Sequence, residues 1–158
     1  MTDSGASGAA DNAGEVRPRR LRDALRQARI EAAGDDPLQR LRALVAHYGD
    51  LTSLPGFRGC PMSNTAVEFP EANHPGRAVA ENCKAEARER IVTMTRQLAV
   101  DDPEVLADGL LLLVEGAFAV HHVFGSQGPS QALVRSADRL IEAHRGEVRG
   151  GKRRAKAS

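Results

Sequence analysis

The side chains best suited to chemistry are two adjacent histidines and one acidic residue in an apolar segment. Glu115 lies seven residues before His122, so these two side chains lie on one side of a helix, two turns apart, while His121 points elsewhere. A zinc or catalytic site needs several ligands that converge, commonly at i and i+4, and this spacing does not supply them. We therefore predict no metal site. We interpret Glu115 and His122 as lining a ligand pocket or hydrogen-bonding across a dimer.

Two cysteines are the other reactive side chains. Cys60 directly precedes Pro61 and so stands at the start of a predicted helix, a position from which a thiol can sense oxidants. No nucleophile elbow or other cysteine-enzyme context accompanies it, so packing at the helix start is the favoured interpretation. Cys83 is also read as a small apolar residue, and two cysteines are too few for a disulfide scaffold. Because no phosphate-binding loop or dinucleotide glycine pattern is present, we predict neither a cofactor nor enzymatic activity.

Helices are predicted to position these side chains, because both the composition and the apolar spacing favour them. Aromatic residues make up 3% of the chain, and no alternating strand pattern or internal repeat is present. A stripe at Leu21, Leu25 and Ala28 predicts a first helix, and prolines mark the later helix starts. We therefore predict an all-α bundle of five or six helices, in which the later helices begin near Pro37, Pro61, Pro75, Pro103 and Pro129.

The predicted helix after Pro103 is apolar on more than one face. One strip recurs at three- and four-residue spacing, and a second strip lies about a third of a turn away. A helix of this kind must be covered from several directions, by its own core and by a second copy of the protein. The first strip comprises Leu106, Leu110, Leu113, Ala117, Val120 and Phe124, and the second comprises Leu111, Val114 and Phe118.

Charge is distributed unevenly along the chain, although the formal net charge is +1. Residues 17–33 carry six arginines against two acidic side chains, and residues 146–158 carry five basic side chains against one acidic. These segments could contact phosphates without reading bases, but such runs are usually solvated faces. Contact with DNA is therefore left open.

The two ends of the chain differ from its centre in composition. Residues 1–15 contain almost no large apolar side chain. We expect a disordered tail over 1–15, a helical domain over 16–145 and a basic disordered tail over 146–158. No apolar run is long enough to cross a membrane, and no signal pattern opens the chain, so we expect a cytoplasmic protein without membrane contact.

A family resemblance is carried by the segment from Gly56 to Pro70, which reads Gly-Phe-Arg-Gly-Cys-Pro-Met-Ser-Asn-Thr-Ala-Val-Glu-Phe-Pro and is followed by His74-Pro75. It resembles part of the effector domain of tetracycline-repressor (TetR) family regulators. The predicted helix starts at Asp36-Pro37 and Asp102-Pro103 follow the same order. The resemblance implies an all-helical domain that binds a small-molecule effector and forms a homodimer. In that dimer, the last two long helices pair with those of a second subunit as a four-helix bundle.

Regulators of this family also carry an N-terminal helix-turn-helix, with a segment such as Ile-Ala-x-x-Ala-Gly-Val-Ser, that places a recognition helix in the major groove. No such segment occurs here. The predicted order ahead of Gly34 spans about twenty residues, enough for one helix where the motif needs three. We therefore expect a truncated or variant regulator that lacks the motif. The alternatives are a ligand-binding helical dimer without direct DNA binding, a dominant-negative partner of a full-length regulator, and an enzyme that uses Cys60 or the histidines.

Two sets of residues are expected to serve these functions. An apolar or amphipathic effector would contact the larger side chains that could face a cavity, and the dimer would use the apolar strips of the last two long helices. The expected effector-binding residues are Met62, Phe69, Met94, Phe118 and His122. The expected dimer-interface residues are Leu106, Leu110, Leu113, Ala117, Val120, Leu133, Ala137 and Leu140.

Overall fold

Six α-helices and two short 3-10 helices make up the part of the chain that the structure describes. The computed structural model describes the backbone of residues 11–155 and the side chains of residues 20–146, and this part of the chain contains no strand. The predicted all-α fold class is therefore confirmed. The α-helices are α1 (Asp11–Ala32), α2 (Pro37–Leu51), α3 (Pro61–Glu68), α4 (Pro75–Thr95), α5 (Pro103–Phe124) and α6 (Leu133–Ala155), and the 3-10 helices are Gly125–Gln127 and Pro129–Ala132.

The first and last helices extend into the two terminal segments that the composition predicts to be disordered tails. Helix α1 begins at Asp11, ahead of the expected boundary after residue 15, and α6 continues to Ala155, past the expected boundary after residue 145. The rest of the predicted tails, residues 1–10 and 156–158, lies outside the described residues.

Proline begins four of the α-helices, as the sequence predicts. Pro37, Pro61, Pro75 and Pro103 each occupy the first turn, where a missing N–H costs no intrahelical hydrogen bond. Neighbouring side chains cap three of these starts: Asp36 Oδ1 accepts from Leu38 N at 2.9 Å, His74 Nδ1 from Gly76 N at 3.1 Å, and Asp102 Oδ1 from Val105 N at 3.2 Å. Pro129 instead begins a 3-10 helix, and α6 starts at Leu133.

Helix α5 lies at the centre of the core and packs against α2, α4 and α6. Its side chains at Leu106, Ala107 and Leu110 are fully buried, and they meet Leu41 of α2 and Ile141 of α6 in one cluster. Burying a leucine side chain of this kind contributes about 1.5–3 kcal/mol to folding.

The turn between α4 and α5 is fixed by polar contacts at its two ends. The buried Thr95 hydroxyl donates to the carbonyl of Pro103 at 2.9 Å, which ties the end of α4 to the start of α5. The amide of Asp101 donates to the carbonyl of His144 at 3.2 Å, and the His144 ring nitrogen Nδ1 lies 2.6 Å from the Asp101 carbonyl oxygen. The turn is therefore joined to α6 as well as to α4 and α5.

Burial changes the choice of side chains for the expected dimer face. Leu106, Leu110, Ala117, Leu133 and Ala137 are buried within the core of the single chain, so they have no surface left for a second subunit. The other three members of that set are half-buried: Leu113, Val120 and Leu140. These three are the members of the expected set that keep appreciable accessible surface in the single chain.

A different strip of α5 is exposed and apolar. Leu112 is 73% exposed and Val123 is 76% exposed, and Val105 lies on the same side two turns before Leu112. Two small residues, Gly116 and Ala119, continue the strip between Leu112 and Val123.

Among the described helices, none combines the length and the hydrophobicity that a membrane span requires.

Candidate functional site

A cavity of about 870 Å³ opens between α1, α2, α3, α4 and α5. This volume lies within the range of small-molecule sites, which is about 300–1,000 Å³. Its lining contains both apolar and charged side chains, so it suits a ligand with both characters. The apolar lining is formed by Tyr48, Leu51, Phe57, Met62, Leu111, Val114 and Phe118.

Aromatic contacts form the inner end of this cavity. The Phe118 ring meets the Phe57 ring edge to face with centroids 5.1 Å apart, and it meets Tyr48 in the same way at 6.0 Å. Phe57 also contacts His121 at 5.1 Å. Three different elements, α2, α5 and the loop between α2 and α3, therefore converge on Phe118.

Two glycines shape the loop that bounds the cavity between α2 and α3. Gly56 and Gly59 have φ angles of 72° and 73°, a left-handed conformation that side-chain-bearing residues rarely adopt. A Cβ atom on Gly59 would also overlap the ring of His122 at the end of α5. The loop can therefore lie directly against α5 only with glycine at this position.

Charged and nucleophilic side chains from three helices meet on the polar wall. Lys84 Nζ on α4 lies 2.5 Å from Glu115 Oε1 on α5, and Ser63 Oγ on α3 donates to Glu115 Oε2 at 2.8 Å. Lys84 Nζ also donates to Cys60 Sγ at 3.1 Å. Burial lowers the pKa of Lys84, but its hydrogen bonds to Glu115 and Cys60 outweigh this effect, so the pKa is raised above its ordinary value. Lys84 is therefore a cation held in place at the cavity wall.

The mouth of the cavity is rich in arginine. Arg22 and Arg26 from α1, Arg58 from the loop and Arg90 from α4 all line it. Burial lowers the pKa of His47 in the same wall, and the positive charges of Arg26 and Arg29 lower it further against an opposing effect of Asp50. The arginines provide hydrogen-bond donors for an anionic group of a ligand, while Asp23, Glu68 and Glu86 line the same cavity and Asp23 pairs with Arg26 at 2.8 Å.

A second groove of about 880 Å³ lies between α1, α2 and α4. Charged and polar residues, among them Glu86, Arg88 and Glu89 of α4, form most of its lining, and no aromatic side chain is among the described residues that line it. The two spaces have almost the same volume, so their linings distinguish them. The first one has the apolar and aromatic surface that ligand sites typically use.

The structure distributes the expected effector-binding residues over different places. Met62 and Phe118 line the candidate cavity, whereas Met94 lines the second groove. The Phe69 ring stacks on His74 at a centroid distance of 4.1 Å. His122 is an exposed residue beside Gly59. Two of the five expected residues are therefore at the cavity.

The sequence reasoning missed Lys84, which connects the polar groups of the cavity wall. Glu115 is paired with Lys84 and Ser63, rather than lying with His122 at the same site. Lys84 is 24 residues from Cys60 and 31 from Glu115, so no helical spacing relates them. Among the described residues, no three His, Cys, Asp or Glu side chains are grouped as a metal site would require.

A comparison with known protein families identifies the family of this fold. Residues 37–137 match the family model described as "Tetracyclin repressor-like, C-terminal domain", which spans more than half of the chain. The chain belongs to this TetR C-terminal domain family. The resemblance seen between Gly56 and Pro70 is thereby confirmed at the level of the family. The search of curated proteins found no match.

A solved structure supports the same fold. The crystal structure of SCO4454, a TetR-family transcriptional regulator from Streptomyces coelicolor, matches with a TM-score of 0.68 at 21% sequence identity. The match covers 76% of this chain and 65% of that regulator, so the present chain spans less than two thirds of its length. At this identity the match establishes the fold of this TetR-family domain.

Proposed function

We propose that this TetR-family domain binds a small amphipathic molecule in the cavity beneath α3 and acts as the effector-binding part of a transcriptional regulator. The cavity carries the proposal, because an aromatic end at Phe118 and an arginine-rich mouth occur in one space of suitable volume. An apolar body would displace water from the aromatic end, and an anionic group would meet the arginines.

Helix α1 is the element through which binding would act on the rest of a regulator. Its side chains at Arg22, Asp23 and Arg26 line the cavity, and the helix packs mainly against α2. A ligand changes the balance between two arrangements of α1 only by the difference in its affinity for them. Contact with α1 provides that difference, since a shifted α1 would alter the cavity mouth.

Homodimerisation belongs to the same proposal, through the exposed strip of α5 rather than through its buried leucines. Leu112 and Val123 are large apolar side chains open to solvent, and a Cβ at Gly116 would meet no atom of the chain within 4 Å. Small residues allow a second helix to approach closely, and a two-fold pairing would cover the same strip on both subunits.

Binding of 1-anilinonaphthalene-8-sulfonate tests the cavity, because this dye combines an apolar body with one anionic group. Ala87 and Ala85 lie on α4, and Ala87 lines the candidate cavity while Ala85 lines the second groove. We expect Ala87→Trp to reduce dye affinity at least tenfold, on the order of 1.4 kcal/mol, by filling the space, and Ala85→Trp to leave it unchanged.

Met62→Trp on α3 provides a second filling variant in case Ala87→Trp does not fold, and circular dichroism checks all three proteins. Loss of dye binding in Ala85→Trp with retention in Ala87→Trp and Met62→Trp would transfer the site to the second groove. Unchanged affinity in folded Ala87→Trp and Met62→Trp would contradict the proposed cavity.

A further inference from the structure

Cys60 has a neighbour that the sequence around it does not indicate. Its sulfur accepts a hydrogen bond from Lys84 Nζ at 3.1 Å, and the thiol lines the same cavity as Phe57 and Phe118. The Cys60 thiol makes no capping hydrogen bond to α3. The backbone carbonyl of Cys60 instead accepts a hydrogen bond from the amide of Asn64 at 3.0 Å. The sulfur is therefore available to a molecule in the cavity.

Lys84 is held in a position that keeps its ammonium beside the sulfur. Glu115 contacts Nζ from the other side at 2.5 Å, and Ser63 fixes the second oxygen of that carboxylate. Lys84 is charged at neutral pH, since the contacts with Glu115 and Cys60 raise its pKa despite partial burial. A fixed cation next to a sulfur stabilises the negative charge of a thiolate, which is the nucleophilic form of cysteine.

We propose that Cys60 is a covalent capture site for α,β-unsaturated carbonyl compounds that enter the cavity, with Lys84 as the residue that activates its sulfur. The proposal rests on the proposed function, because it assigns a chemical class of ligand to the same cavity. It adds the Cys60–Lys84 pair as the reactive centre and makes the response to such a ligand covalent.

The reaction is an addition in which no group leaves. The thiol proton passes to solvent, and the thiolate attacks the β-carbon of the ligand. As the sulfur–carbon bond forms, the carbon–carbon π bond breaks and its electron pair moves to the carbonyl oxygen as an enolate. A proton from water then returns to the α-carbon. The sum is one thiol plus one alkene giving one thioether, with no oxidant or reductant.

The second cysteine provides a control within the same molecule. Cys83 is half-buried like Cys60 and lines the same cavity, but its thiol makes no hydrogen bond with any other described residue. Access to the cavity is therefore common to both thiols, and contact with the Lys84 ammonium distinguishes Cys60. A difference in their rates measures the effect of that contact.

The test is the rate at which N-ethylmaleimide labels each cysteine, followed by peptide mass spectrometry after timed quenching at neutral pH. We expect Cys60 to react on the order of tenfold faster than Cys83 in the folded protein, and both to react alike in denaturant. Lys84→Met should reduce the Cys60 rate to that of Cys83, whereas Lys84→Arg, which keeps the charge, should preserve most of the difference.

Equal labelling of the two thiols in the folded wild-type chain would overturn the inference without any variant. An unchanged Cys60 rate in Lys84→Met, shown by circular dichroism to be folded, would overturn the role of Lys84. Dye binding separates this inference from the proposed function. Equal thiol rates with intact dye binding contradict only covalent capture, and a fast Cys60 without dye binding to the cavity contradicts only the general ligand site.

Discussion

Helices α3 and α5 both line the candidate cavity, but they are held in the structure in different ways. Helix α5 buries six side chains, including Leu106 and Leu110, whereas the eight-residue helix α3 has no buried side chain. Contacts of α3 with the wall include the hydrogen bond from Ser63 to Glu115. A region with few buried apolar contacts opens at a lower free energy than the core does. The contrast predicts that α5 opens at a higher free energy than α3 does.

The largest expected effect is on the free energy of unfolding when the α5 core is truncated. Leu110 is fully buried, so Leu110→Ala should lower the free energy of unfolding by about 2–5 kcal/mol, measured by urea denaturation. Val67→Ala on α3 is the control, because Val67 is 82% exposed and should change stability by less than about 0.5 kcal/mol. Similar losses in the two variants would remove the distinction between the helices.

The exposed strip of α5 should control association more than folding. Leu112→Asp places a charge at the centre of the proposed dimer face and should weaken the dimer on the order of a hundredfold, about 2.8 kcal/mol, measured by analytical ultracentrifugation. Val67→Asp puts the same charge on exposed α3 and should leave the dimer intact. A wild-type chain that stays monomeric at all concentrations, or a Leu112→Asp dimer of full strength, would contradict this face.

These two predictions also show which parts of the molecule the sequence could reveal. Helix starts at Pro37, Pro61, Pro75 and Pro103 follow from local rules, because proline and its capping neighbour act within one turn. The exposed strip of α5 does not follow, since Leu112 and Val123 belong to neither of the two apolar strips that the spacing predicts. Only the packing of α2, α4 and α6 around α5 decides that Leu110 is inside and Leu112 outside.

The candidate cavity was harder to predict than the fold for a related reason. Met62 and Phe118 could be named because they are among the larger side chains that could face a cavity, and both line the candidate cavity. The contact between Cys60 and Lys84 joins the start of α3 to the middle of α4, and no period in the sequence relates the two residues. Met94 belongs to the apolar stripe of α4 and lines the second groove, because the packing of α4 and not its period decides which space each side of the helix meets.

A smaller effect is expected from the ion pair that links α4 to α5 beside α3. Glu115→Gln removes the counter-charge of Lys84 and should lower the free energy of unfolding by about 1 kcal/mol at pH 8. Because the folded-state pKa of Lys84 lies above its ordinary value of 10.5, this contribution is complete below that pH and is lost as pH rises through the folded-state pKa. Urea denaturation from pH 8 upward should show the two proteins converging in alkaline solution.

Asp108→Asn is the matched control for this ion pair. Asp108 contacts Arg88 at 2.6 Å between the same two helices, but both side chains are largely exposed. Exposed ion pairs contribute little to stability, so we expect Asp108→Asn to cause no measurable change in the free energy of unfolding from pH 8 upward. A pH-independent difference between Glu115→Gln and wild type would show that the loss does not come from the charge of Lys84.

The smallest expected effect concerns His47 at the cavity mouth. Burial and the nearby charges of Arg26 and Arg29 should hold its pKa below 6.5, measured by nuclear magnetic resonance titration of the ring protons. Salt should raise this pKa slightly, because salt screens the arginines but does not change burial. A pKa above 6.5 at low salt would contradict the electropositive mouth.

Hydrogen exchange with and without 1-anilinonaphthalene-8-sulfonate tests the central claim most directly, because it reports α3 and α5 separately in one unmodified protein. The account predicts that amides of Pro61–Glu68 exchange faster than those around Leu110 in the free protein. The dye should slow exchange in α3, and it should also slow those α5 core amides that exchange through global unfolding, because a ligand of the folded chain stabilises it against unfolding. Slowing confined to the α1 and α4 residues of the second groove, with no change in α3, would contradict the proposed site.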